Sequence, residues 1–171
     1  MRLTIQPVLP EDAYAYTLTH IACWQSAYQG IIPDEYLAHM PEETEQRVER
    51  LKQSIEEGTD GFSYYYAQLD GKMVGRLILN KSRDEDKPDA GEITAIYLLQ
   101  DYWDKGYGRE MMDYAMAQFE EMGYCEVILW VQEENQKARR FYEKCGFAFD
   151  GTKKEITIGK PLVVTRYIRN L

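Results

Sequence analysis

From Glu92 to Arg109 the chain reads Glu-Ile-Thr-Ala-Ile-Tyr-Leu-Leu-Gln-Asp-Tyr-Trp-Asp-Lys-Gly-Tyr-Gly-Arg. An apolar run of strand length passes through a short polar loop into a helical pattern that puts Met112, Ala115, Met116 and Phe119 on one face. A buried strand feeding a helix in this way belongs to a sheet covered by crossover helices. The junction, with Gly106 and Gly108 in it, reads either as a plain tight turn or as an anion cradle. The first N–H groups of a helix have no intrahelical partner, and the helix dipole adds partial positive charge. A glycine then lets a phosphate approach where a β-carbon would block it. Lys105 and Arg109 bracket the loop with full charges. Two familiar phosphate loops do not fit. The third glycine of a dinucleotide fingerprint would fall on Met111, and a Gly-Lys-Ser/Thr triplet is absent.

Around this element the pattern predicts one domain over residues 1–171. Residues 3–8 read as a strand, and Pro10-Glu11-Asp12 starts a helix that runs from Tyr14 to about Tyr28. Gly30 and Pro33 break it, and helical pieces follow through Leu37 and from Glu42 to Glu57. Phe62–Leu69 and Met73–Leu79 form a hairpin about Asp70-Gly71, and a charged loop covers Lys81 to Ala90. Beyond the helix at Tyr107–Met122 come a strand at 126–131, a helix from Asn135 to Cys145 closed by Gly146, and strands near 148–151 and 163–169.

Cys23, Cys125 and Cys145 are separated and form no Cys-x-x-Cys pair, which fits a reducing compartment. The first residues lack the apolar core of a secretion signal, and no apolar run reaches the roughly twenty residues that span a bilayer. A cytoplasmic protein is expected. The net charge of −9 argues against nucleic acid or an anionic membrane as partner; its ordinary reading is solubility, and it would also attract a cationic amine. His20 and His39 have no companion ligands, so no metal is expected.

The junction resembles the first motif of the GCN5-related N-acetyltransferase (GNAT) superfamily, Arg/Gln-x-x-Gly-x-Gly/Ala after a strand, with Trp103 where Arg or Gln is usual. Downstream, Asn135, Ala138, Phe141, Tyr142, Gly146 and Phe147 match the family's second motif, Asn-x-x-Ala-x-x-Phe-Tyr-x-x-x-Gly-Phe. Upstream, the stretch from Trp24 through Ala27, Tyr28, Gly30, Pro33 and Tyr36 to Leu37 is similar to a pattern in many bacterial members. The resemblance implies an α/β acyl-CoA N-acyltransferase fold: a central mixed twisted sheet, split at the cofactor cleft, with helices on both faces. It implies acetyl-CoA as cosubstrate and direct transfer of the acetyl group to a primary amine. A small amine or polyamine is favoured, with a protein N-terminus or lysine second and a catalytically silent acyl-CoA sensor as the alternative. It further implies a homodimer in many relatives.

Residue by residue, the resemblance implies that Asp104, Lys105, Gly106, Tyr107, Gly108 and Arg109 bind pyrophosphate, with Trp103 contributing its backbone N–H. The backbone of Ile96 and Leu98 would pair with the pantetheine arm at a strand bulge, and the Leu98 N–H would face the oxyanion. Glu92, fourteen residues before Gly106, would be the base, with Asp101 and Glu126 as substitutes. Tyr142 would protonate the departing thiolate, and Asn135 and Ala138 would contact the arm. The residues alone leave other roles open. Ala138, Phe141, Tyr142 and Cys145 also form a helical core stripe, and Asn135 is a helix N-cap. Cys145 is set aside as a nucleophile because transfer in the family is direct. Trp24, Tyr28 and Tyr36, with the Tyr64-Tyr65-Tyr66 run, would wall the acceptor pocket or pack the core.

Overall fold

The computed structural model describes residues 2–171. Seven strands form one sheet: β1 (Thr4–Pro7), β2 (Phe62–Leu69), β3 (Lys72–Lys81), β4 (Gly91–Leu98), β5 (Glu126–Gln132), β6 (Ala148–Ile158) and β7 (Lys160–Asn170). Their order is β1-β2-β3-β4-β5-β7-β6. All neighbours are antiparallel except β4 and β5, which α4 (Tyr107–Glu121) connects as a crossover. The remaining helices are α1 (Ala13–Ala27), α2 (Asp34–His39), α3 (Thr44–Glu57) and α5 (Gln136–Lys144). No described helix is long and apolar enough to cross a membrane.

β3 is buried continuously from Val74 to Asn80, as a central strand covered on both faces must be. Leu77 and Leu79 point into the core that α4 fills with Met111, Met112, Ala115, Met116 and Phe119. Between Gly75 and Leu77, Arg76 points the other way, onto the ring of Tyr16 in α1. A second cluster joins α1 and α2 to the β6–β7 hairpin through Ile21, Ile32, Leu37 and Leu162. That hairpin is longer than the sequence suggests. Gly151 reads as a strand end, but β6 continues to Ile158 through an irregularity between Phe149 and Lys153.

Gly91 is fixed by close approach. A β-carbon there would lie 2.4 Å from the ring of Phe119, which is fully buried. Gly91→Ala is therefore expected to cost about 1–3 kcal/mol by overpacking. Urea unfolding should show a lower midpoint with an unchanged slope; an unchanged midpoint would mean that the ring has room to move.

Candidate active site

β4 and β5 pair only at Gly91, Glu92 and Ile93, opposite Val127, Ile128 and Leu129. From Thr94 onward β4 keeps β3 as its partner and leaves β5, which turns to β7. The sheet therefore opens into a wedge whose β4 side offers unpaired backbone. The register irregularity of β4 falls between Ile93 and Ala95, opposite Ile78 and Leu79, and not at Leu98 as the resemblance implies. An extra residue at Thr94 bends the strand where the splay begins.

At the wide end of the wedge the loop from Leu99 enters α4. Gly106 has φ +89, ψ −16, in the left-handed region, and a β-carbon there would meet nothing within 4 Å. The Asp104 to Gly108 N–H groups donate to no backbone carbonyl, which leaves them for an incoming anion. The Trp103 N–H is not one of them, because it donates to the Gln100 carbonyl at 3.1 Å. The Trp103 side chain is engaged as well: its indole Nε1 donates to the Leu98 carbonyl at 2.9 Å, and Lys137 Nζ lies 4.5 Å from its ring. Lys105 and Lys72 both stand over the ring of Tyr102, so positive charge gathers here in an acidic protein. Arg109 is turned along its own helix, to Asp113 at 2.9 Å and to the Lys144 carbonyl at 3.3 Å. The cradle fits a pyrophosphate: five free donors, an open left-handed glycine and a helix N-terminus.

Asn135 precedes α5 and caps it: its Oδ1 accepts from the Ala138 N–H at 3.1 Å. Phe141 and Tyr142 both pack against the main core, which holds Tyr142 in place. On β4, Tyr97 points to the side opposite Ile96 and Leu98, toward α1. Its hydroxyl shares a 2.5 Å hydrogen bond with that of Tyr28. Burial, with Tyr97 and Cys145 nearby, pushes the Tyr142 phenol above its ordinary value. Burial and Tyr97 raise Tyr28 likewise, and burial raises Tyr97. All three therefore hold their protons at neutral pH. Tyr97, which no sequence motif marks, joins this cluster through Tyr28. The available signal was strand alternation, which sets its hydroxyl on the face opposite Ile96 and Leu98.

Glu92 is 2% exposed, and its carboxylate is closely held. Oε1 accepts from Arg83 Nη2 at 2.6 Å, and Oε2 accepts from the Arg83 N–H, Arg83 Nε and Asn80 Nδ2. The loop that carries Arg83 then straps across the face of the sheet. Asp84 accepts from Trp130 Nε1 and Arg166, and Arg166 also donates to Asp86 and Asp150. Trp24 and Tyr28 pack in edge contact beside the β6–β7 hairpin, with Tyr36 near Gly159 at its tip.

A family model described as Acetyltransferase (GNAT) family matches residues 24–147, a span that holds the wedge, the cradle and α5. The chain belongs to the GNAT family. Its relatives include the "Probable N-acetyltransferase Rv2775" of Mycobacterium tuberculosis, 30% identical over 150 residues, which cover 87% of this chain and 82% of the other. The GNAT fold recurs in the PaiA N-acetyltransferase of Thermoplasma acidophilum, solved with coenzyme A, at TM-score 0.79 and 21% identity over the whole of both chains. An acetyltransferase of Thermus thermophilus aligns at TM-score 0.72 and 22% identity, covering 100% of this chain and 98% of that one. As a GNAT protein the chain is an N-acetyltransferase that uses acetyl-CoA.

Proposed function

We propose that this enzyme acetylates a small primary amine, and that the amine meets the thioester beside Tyr28, Tyr97 and Tyr142. One observation carries the reading. The length of β4 freed from β5 bears Tyr97, whose hydroxyl is fixed on Tyr28 with Tyr142 as an electrostatic neighbour. Acetyl-CoA, when bound, supplies the activated acyl group. Asp104 to Gly108 hold its pyrophosphate through backbone N–H groups, with Lys105 and Arg109 adding charge, while Trp103, both of whose N–H groups are engaged within the protein, shapes the loop. The free backbone of Ile96 orients the arm; at Leu98, whose carbonyl is taken by Trp103 Nε1, the N–H faces the carbonyl oxygen as negative charge develops there. Asn135 and Ala138 border the arm at the start of α5.

Tyr142 keeps a proton at Oη for the departing sulfur. Glu92 receives the amine's proton through water once Arg83 lets go of it. The Arg83 side chain is more than half exposed, which leaves it free to do so. Trp24, Tyr28 and Tyr36 offer aromatic faces to a cation, and the net charge of −9 draws one in. Polyamines are included among the candidate acceptors, and a protein N-terminus or lysine comes second.

The test is a panel of polyamines, amino acids, aminoglycosides and peptides incubated with acetyl-CoA and read by mass spectrometry. A single acetylated class is expected, and the class should be small amines. A blank panel with acetyl-CoA still bound would turn the reading toward a silent sensor.

A further inference from the structure

A second cavity, of about 260 Å³, lies between α1, α3 and the β2–β3 hairpin. Of the residues the sequence offered for the acceptor pocket only Tyr64 lines it, and none of the residues given a role in the proposed transfer does. Arg76, at 8% exposure, forms part of its wall. The guanidinium stacks 4.9 Å from the centre of the Tyr16 ring, and its Nε has no hydrogen-bond acceptor. Among the described residues no carboxylate pairs with it, although a buried cation without a partner is strongly unfavourable.

Arg47 enters the same cavity with Nη2 on Glu43 at 2.7 Å and Nε unpartnered, and Arg50 stands on the exposed side. His20 completes the wall with an unpartnered Nδ1. Burial, then the charges of Arg76 and Arg47, pulls the His20 pKa from 6.5 to about 2. The wall thus has three guanidiniums, of which Arg47 is paired with Glu43, and one neutral imidazole, in a chain whose net charge is −9.

We infer that this cavity is a second ligand site, apart from the acyl-transfer cleft, that takes a phosphate group, free or carried by a small metabolite. Guanidiniums on one wall match a phosphate's several acceptor oxygens, and a dianion balances them better than one carboxylate does. The space holds roughly eight or nine waters at about 30 Å³ each. It lies below the ~300–1,000 Å³ of ordinary cofactor pockets, which suits a phosphate or a small phosphorylated metabolite. Occupancy is felt across the strand pair, because Arg76 sits opposite Tyr97 and its charge bears on both Tyr97 and Tyr28.

The chain has two histidines, so NMR of the imidazole rings reads the site directly. Inorganic phosphate is titrated into the cofactor-free protein at neutral pH and constant ionic strength, with acetate as the comparison. The His20 ring signals should shift saturably with phosphate while those of His39, exposed on α2, stay put. Arg47→Gln should weaken the apparent affinity more than tenfold, and Arg76→Met should abolish the response. No saturable shift at His20, or a shift with unchanged apparent affinity in Arg47→Gln, overturns the site. An equal response to acetate overturns the phosphate assignment. Arg47 is partly exposed on a surface helix, so its variant keeps the test valid if Arg76→Met fails to fold.

Discussion

Gly106→Asp should raise the Kd for acetyl-CoA at least ~100-fold while leaving the fold intact. The residue takes φ +89 at the first turn of α4, and a β-carbon would touch nothing inside the protein. The internal cost is thus limited to the left-handed backbone, about 1–2 kcal/mol for a residue with a side chain. The larger cost falls on the ligand. A carboxylate would lie among the free N–H groups of Asp104 to Gly108, where a phosphate belongs, and two like charges about 4 Å apart repel by ~4 kcal/mol at an effective dielectric of about 20. Calorimetry with acetyl-CoA measures the loss, and circular dichroism checks the fold. Gly106→Ala separates the two contributions: it keeps the backbone strain without the charge, so its loss should be much smaller. Unchanged affinity in Gly106→Asp would remove the loop from the cofactor site.

Tyr142→Phe should lower turnover about 100-fold, the lower end of what a positioned proton donor contributes. Acetyl-CoA affinity should stay within about twofold, because the ring keeps its packing on Phe141 and Phe147 and only the hydroxyl goes. Stopped-time assays under saturating acetyl-CoA, beside equilibrium binding, resolve the two quantities. An unchanged turnover would leave Tyr142 as a member of the core stripe alone. The raised phenol also gives a pH signature. Its folded value lies above its unfolded value of about 10, so its contribution to stability is complete below pH ~10 and is lost as pH rises beyond that. Tyr28 and Tyr97 shift the same way, and alkaline unfolding should be shallower in Tyr142→Phe.

What could be read from the sequence was local. The glycines at the α4 entry, the Asp70-Gly71 turn and the Asn135 cap each act over a few residues, and each lies where the spacing places it. The wedge itself follows from pairing between distant segments. Nothing near Ile93 announces that β5 will be shared with β7, and the bulge expected at Leu98 lies at Thr94 instead. The Arg83 grip on Glu92 was hidden for a similar reason, since a charged loop looks solvated until its fold is known. Arg166 reaches Asp84 across 82 positions of sequence, beyond any periodic signal. Gly151 misled by its type: a glycine signals a turn, yet here it sits in a strand that carries on.

The strand order also bears on how the molecule assembles during synthesis. β1 is completed by β2, β2 by β3, and β3 by β4, so that half of the sheet can form while the chain is still emerging. β5 cannot be finished in this way, because its outer partner is β7, which the ribosome delivers after α5 and all of β6. Until then one wall of the wedge is a strand with an open edge, exposed to whatever nascent chain passes nearby. The first half can therefore be shaped early, but the binding cleft exists only once translation has passed β7.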